Sequence, residues 1–110
     1  MTTQEARAAR DAGIQQAADH AEEVHQDWGE LALDAVRQFA DGVRGTNAWF
    51  TSEDVRSSEA GQAVPTPPHL RAWGAVFQRA ARERLIEKVG VTQSVAAHCH
   101  LAYVAKWRAV

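Results

Sequence analysis

Cysteine is almost missing from this chain. Cys99 is the only one in 110 residues, and a lone thiol closes no internal disulfide. That excludes a disulfide-stapled secreted scaffold. Long apolar runs are missing too: no stretch approaches ~18 consecutive apolar residues, so nothing reads as a membrane-spanning helix. The opening MTTQEARAARDAG lacks the apolar core of a secretory signal, and the expected home is cytoplasmic. There is no glycine-rich phosphate loop, no paired-carboxylate motif and no internal repeat. A catalytic nucleophile needs an activating base and an oxyanion donor. Ser57 and Ser58 stand in no elbow motif, and Cys99 has no helix N-terminus to activate it. The expectation is a protein that is not an enzyme and needs no cofactor.

What remains is ordinary globular material, 45% apolar and 24% charged, enough for one domain of about 12 kDa. The net charge of −2 hides a split. Residues 1–45 hold nine acids against four arginines (−5) and residues 46–67 three acids against one arginine (−2). Residues 68–110 hold seven bases against two acids (+5). Such asymmetry points to an anionic partner for the C-terminal part, or to two halves that neutralise each other.

Residues 3–26 are rich in helix formers, and Ile14, Ala17, Ala18, Ala21 and Val24 share one shallow, alanine-lined face. A second helix is expected from Asp27, which forms a box-like pair with Glu30. Its core stripe is Trp28, Ala32, Ala35, Val36, Phe39 and Val43, and it ends near Gly42 and Gly45. Whether these two helices are continuous stays open. TNAWF, residues 46–50, reads as a connector. Thr51 then caps a short helix over 52–60, paired with Asp54 and stapled by Phe50 and Val55. GQAVPTPP is a loop, and Pro68 opens an amphipathic helix to Leu85. Leu70, Trp73, Phe77, Ala80 and Ala81 line its inner arc; Arg71, Ala75, Gln78 and Arg82 lie opposite, with Arg79 beside them. Beyond it the period changes from 3.6 to 2. IEKVGVT (86–92) and residues 101–108 read as two strands joined by a hairpin-length loop.

The expected fold class is therefore mainly α with a small β-hairpin. The order helix–helix–helix–strand–strand is that of a winged helix over residues 27–110, a helix-turn-helix variant, preceded by an additional N-terminal helix, 1–26. FTSEDVR (50–56), P-x-PP (65–68), RAWGAVFQRA (71–80), LIEKVG (85–90) and KWR (106–108) resemble small, uncharacterised phage and prophage proteins with a winged-helix-like domain. The resemblance implies a phage-derived protein in the cytoplasm of a bacterial host. It implies no activity and no catalytic residue. Were glycine the group's residue at position 84, Arg84 would mark a turn built differently here.

The leading functional expectation is binding of double-stranded DNA, with helix 68–85 in the major groove. Arg71, Gln78, Arg79 and Arg82 carry the donors that pair with guanine, adenine and phosphate. Small Ala75 permits close approach, and the amides of His69 and Leu70 are candidate phosphate donors. Lys88, Lys106 and Arg108 would hold phosphate from the base of the hairpin. Two features oppose this: the whole chain is not basic, and residues 93–100 contain no Lys or Arg. The rival is a protein-interaction module, with Trp49 as a candidate contact anchor. The alanine-lined first helix also fits a homodimer. His98, Cys99 and His100 supply too few convergent ligands for a metal, and His20 and His25, five apart, are not helical neighbours. No metal site is expected.

Overall fold

A computed structural model describes residues 2–94 and 103–110 of the chain. Helix α1 (Thr3–Val24) opens with a capping box: the Thr2 side chain accepts from the Glu5 amide, and the Glu5 carboxylate accepts from the Thr2 amide. Helix α2 (Trp28–Val43) starts after a break at 25–27, so the two helices are separate. Asp27 does not cap α2. Its φ is 65°, in the left-handed region, and its side chain makes no cap hydrogen bond. A capping side chain needs an extended backbone at that position to reach the following amides. Instead the Glu22 carboxylate, from the last turns of α1, accepts from the amides of Asp27 (3.0 Å) and Gly29 (2.6 Å). One acid thus ends one helix and starts the next.

The connector contains a two-residue strand, β1 (Trp49–Phe50), which the sequence pattern is too short to display. Thr51 then caps α3 (Ser52–Ser57) in the expected box with Asp54, over buried Phe50 and Val55. The helix does not reach residue 60. Ser58 turns extended and caps a single turn, α4 (Glu59–Gln62). Gly61 makes this fold-back possible, because a Cβ there would fall on the carbonyl oxygen of Val55.

Helix α5 (Ala72–Arg82) is shorter than the expected 68–85. Residues 69–71 form turns that hydrogen-bond three residues on, and the Arg71 amide donates to Nδ1 of His69. The amides of His69 and Leu70 therefore precede the helix rather than form its N-terminus, and Leu70 is 40% exposed instead of in the core. At the other end, the Leu85 amide donates to the Ala80 carbonyl and the Arg84 amide to that of Ala81. This is a Schellman closure with Arg84, φ 60°, where glycine ordinarily sits.

Strands β2 (Ile86–Gln93) and β3 (Tyr103–Ala109) pair antiparallel, and β1 adds to the far side of β3. The result is a mainly helical domain with a small three-stranded antiparallel sheet, order β1-β3-β2, where the sequence pattern displays only a hairpin. The core joins α2, α3, α5 and the sheet, and Ala21 brings α1 into it. Trp28 packs edge-on against Trp73, with ring centroids 5.4 Å apart, and Phe77 packs against Trp107 at 5.6 Å. The Trp28 indole N–H donates to the Pro65 carbonyl at 2.7 Å, fixing the proline loop to α2.

Two stability predictions follow from these ends. Arg84→Gly relieves a left-handed side chain that costs about 1–2 kcal/mol, against up to ~1 kcal/mol of added unfolded-state entropy. A net gain of about 0.5–1 kcal/mol should raise the thermal midpoint by a few degrees; a lower midpoint would refute the account. Glu22→Ala should cost about 1 kcal/mol in urea unfolding, as loss of a helix cap does. Asp27→Asn, which removes no cap bond, should stay within about 0.5 kcal/mol.

Candidate functional site: the groove between the first helix, the last helix and the sheet

On a helical wheel the buried residues of α5 (Ala72, Trp73, Val76, Phe77, Ala80) leave Arg71, Ala75, Gln78 and Arg82 on the opposite side. That stripe is the one expected from the sequence. It does not stand free in solvent, because α1 packs along α5 there. A Cβ on Gly74 would meet Ile14 at 3.3 to 3.5 Å, and one on Gly13 would meet Nη1 of Arg71 at 3.5 Å. Ala75 and Gln78 are half-buried, and Arg71 and Arg82 are exposed. The small residues along this side accommodate the alanine-lined face of α1.

The remaining basic residues divide into tied and free. Arg79 donates to Glu30 of α2 through Nη1 and to Glu83 through Nε, both at 2.7 Å. The hydrogen bond to Glu30, then that to Glu83, holds its guanidinium pKa above an already high value. Arg108 is paired with Glu87, its Nε at 3.0 Å. Lys106 sits 4.5 Å from the centroid of the Trp49 ring, a cation–π contact. Arg71, Arg82, Arg84 and Lys88 make no ion pair among the described residues.

The sheet separates the three bases expected at the hairpin. Lys106 and Arg108 alternate with Trp107 along β3 and lie on the face carrying Trp49, which is 50% exposed. Lys88 stands opposite Trp107, on the other face. A β-bulge at Val89 shifts the register between Lys88 and Gly90. The extra residue brings Lys88 and Val91, three apart, to one face, opposite Trp107 and Ala105.

That face of the sheet, α5 and the N-terminal half of α1 enclose an open groove of about 970 Å³. Trp73, Phe77, Ile14, Val91, Tyr103 and Trp107 make most of its surface apolar. Arg10, Arg56, Arg71 and Lys88 also line it. Among the described residues Arg10 pairs with Asp11 at 3.5 Å, and Nε of Arg56 donates to the Ser52 carbonyl. The acid in the lining, Glu53, accepts from Ser94. Of the residues singled out from the sequence, the groove gathers Arg71, Gln78 and Lys88. It leaves Trp49, Arg79, Arg82, Lys106 and Arg108 outside.

Ile14 was read from the sequence as a helix-face residue, but Arg10 and Arg56 carry no local signal of a shared site. Gly74 is the available clue, since an isolated glycine inside a strong helical pattern often marks close approach of another element. Among the described residues, no group of three or more His, Cys, Asp or Glu side chains is placed to hold a metal ion. His98, Cys99 and His100 lie outside the described residues. No described helix is long and apolar enough to cross a membrane. No family model, curated protein or solved structure matches this chain in comparisons of all three kinds.

Gly74→Leu tests the seating of α1. Helix propensity favours leucine by about 1 kcal/mol. Overpacking against Ile14 costs about 1–3 kcal/mol and should win. Amide exchange should speed up in α1 more than in α2; equal protection in both helices would show that α1 does not depend on this contact.

Proposed function

We propose that this chain is a winged-helix domain serving as a protein-interaction module, with the groove as its contact surface. The order of elements from α2 onward, with the sheet order β1-β3-β2, supports the winged-helix assignment. In that assignment α5 is the helix that would enter a DNA major groove, with residues near its start reading bases. The observation that carries the interaction reading is the seat of α1 along α5. Insertion of the Arg71–Gln78 side into a duplex would require α1 to leave. Arg79, Lys106 and Arg108 are moreover engaged within the molecule, and the sequence pI of about 6.2 is far from the basic footprint of a duplex binder. An apolar groove gives little to a phosphate backbone and much to apolar side chains. The role is binding, not catalysis, and the resemblance to phage proteins makes a phage or host protein the expected partner.

A second reading, duplex DNA, is favoured by one observation: Arg71, Arg82, Arg84 and Lys88 have no ionic partner among the described residues.

One pair of titrations separates the two. A random 16-residue peptide library is panned against the whole chain, and a labelled random-sequence duplex is titrated at 50 and 200 mM salt. The interaction reading expects selected peptides whose binding falls at least about tenfold in Val91→Arg, a change at an exposed groove residue. It expects no duplex binding below ~100 μM, the weak end of non-specific affinity. Micromolar duplex binding that collapses at the higher salt, with no peptide sensitive to Val91→Arg, would replace it with the DNA reading.

A further inference from the structure

We infer that the occupant of the groove is an acidic amphipathic helix of a partner protein, an inference that rests on the interaction reading above. Three features of the groove define this chemistry. First, its floor is made by Leu70, from the turn before α5, and by the outer edges of Trp73, Gly74 and Phe77 on α5 itself. Trp73 and Phe77, four residues apart, span about one turn of α5, ~6 Å, and Leu70 extends the floor beyond the helix start. A helix laid beside it can seat apolar anchors at i, i+4 and i+7 between α5 and the sheet. The sheet wall, Val91, Ala105, Tyr103 and Trp107, supplies the second apolar side, and Tyr103 is 75% exposed.

Second, the cations stand on different walls. Arg10 comes from α1, Arg71 from the start of α5, Arg56 from α3 and Lys88 from the bulged strand β2. Arg71 and Lys88 are without an ionic partner among the described residues. The acid in the lining, Glu53, is engaged by Ser94. The groove is thus positive at its edges in a chain whose net charge is −2. Carboxylates flanking an apolar ridge complement that pattern, and lysines in the same places are repelled.

Third, no buried side-chain nitrogen or oxygen among the described residues lacks a hydrogen-bond partner. No buried polar atom of the groove is thus left waiting for a ligand among the described residues. The charged groups of the groove come from four separate elements around an apolar interior. That arrangement suits an extended amphipathic segment better than a compact metabolite.

The test uses the whole chain and two labelled 16-residue peptides. One has leucines at i, i+4, i+7 and i+11 with glutamates on both flanks; its twin has lysine at every glutamate. Fluorescence anisotropy should give micromolar binding of the glutamate peptide at 50 mM salt, weakened several-fold at 200 mM, and at least tenfold weaker binding of the twin. Arg71→Glu with Lys88→Glu changes two exposed positions, so folding should survive, as circular dichroism checks. This double variant should lose at least tenfold for the glutamate peptide and bind the lysine twin better than the parent does. Equal binding of both peptides, binding of neither, or no reversal in the variant overturns the acidic partner. If panned peptides sensitive to Val91→Arg exist but carry no acidic excess, the acidic partner falls and the interaction reading stands. If no panned peptide depends on Val91, the interaction reading falls with it.

Discussion

The indole of Trp28 is the constraint from which the rest of this fold follows. A buried indole must find an acceptor for its N–H, since leaving it unmade costs about 1–3 kcal/mol. The Pro65 carbonyl takes that role, so the first residue of α2 holds the proline loop in place. Its ring meets Trp73 edge to face, which fixes the rotation of α5 about its own axis. Once that rotation is set, three sides of α5 have an assigned neighbour: Val76 and Ala80 lie in the shared core, Phe77 meets Trp107, and Gly74 meets Ile14.

An eleven-residue helix surrounded in this way cannot carry large side chains on all sides. Its composition reflects the competition for space. Bulk is concentrated in Trp73 and Phe77, while Ala72, Gly74, Ala75 and Ala80 let backbones approach. Glycine in a helix interior costs about 1 kcal/mol relative to alanine. At position 74 that cost is offset by the close seat of Ile14, and the same seat determines how α1 lies over the basic side of α5. Packing and the groove are coupled there: the contact that seats α1 on α5 also forms one wall of the groove.

Local chemistry was legible in the sequence and distant chemistry was not. The Thr51–Asp54 box, the Phe50–Val55 staple and the Trp28-to-Val36 stripe of α2 depend on residues within a few positions, and the structure has each of them. The alternation along β3 also puts Trp107 against Phe77 as expected, but Tyr103 on the same face stays 75% exposed. By contrast, the cap on α2 comes from Glu22, reaching across a helix break that also puts Asp27 in a left-handed conformation. Strand β1 exists because β3 lies beside it, and two residues have no period of their own. The turn before Ala72 overrides the preference of Pro68 for a helix start, because the His69 ring and carbonyl satisfy the first amides without a full helical turn. The groove itself draws on α1, α3, α5 and both long strands, so no single segment of sequence displays it.

The distribution of charge gives the last step. A cation already hydrogen-bonded to two carboxylates, as Arg79 is, would have to break those bonds to meet a new anion, so it contributes little to recognition. Its exposed ion pairs contribute little to stability as well, because solvent screens them. Arg79, Arg44 and Arg108 therefore serve mainly to orient neighbouring elements: α2 on α5, and the end of β3 on α2 and β2. The cations that retain their full field are those that no acid reaches among the described residues, and two of this kind, Arg71 and Lys88, both line the apolar groove. A chain with a net negative charge can in this way present a locally positive, apolar surface, the chemistry on which the proposed acidic partner rests.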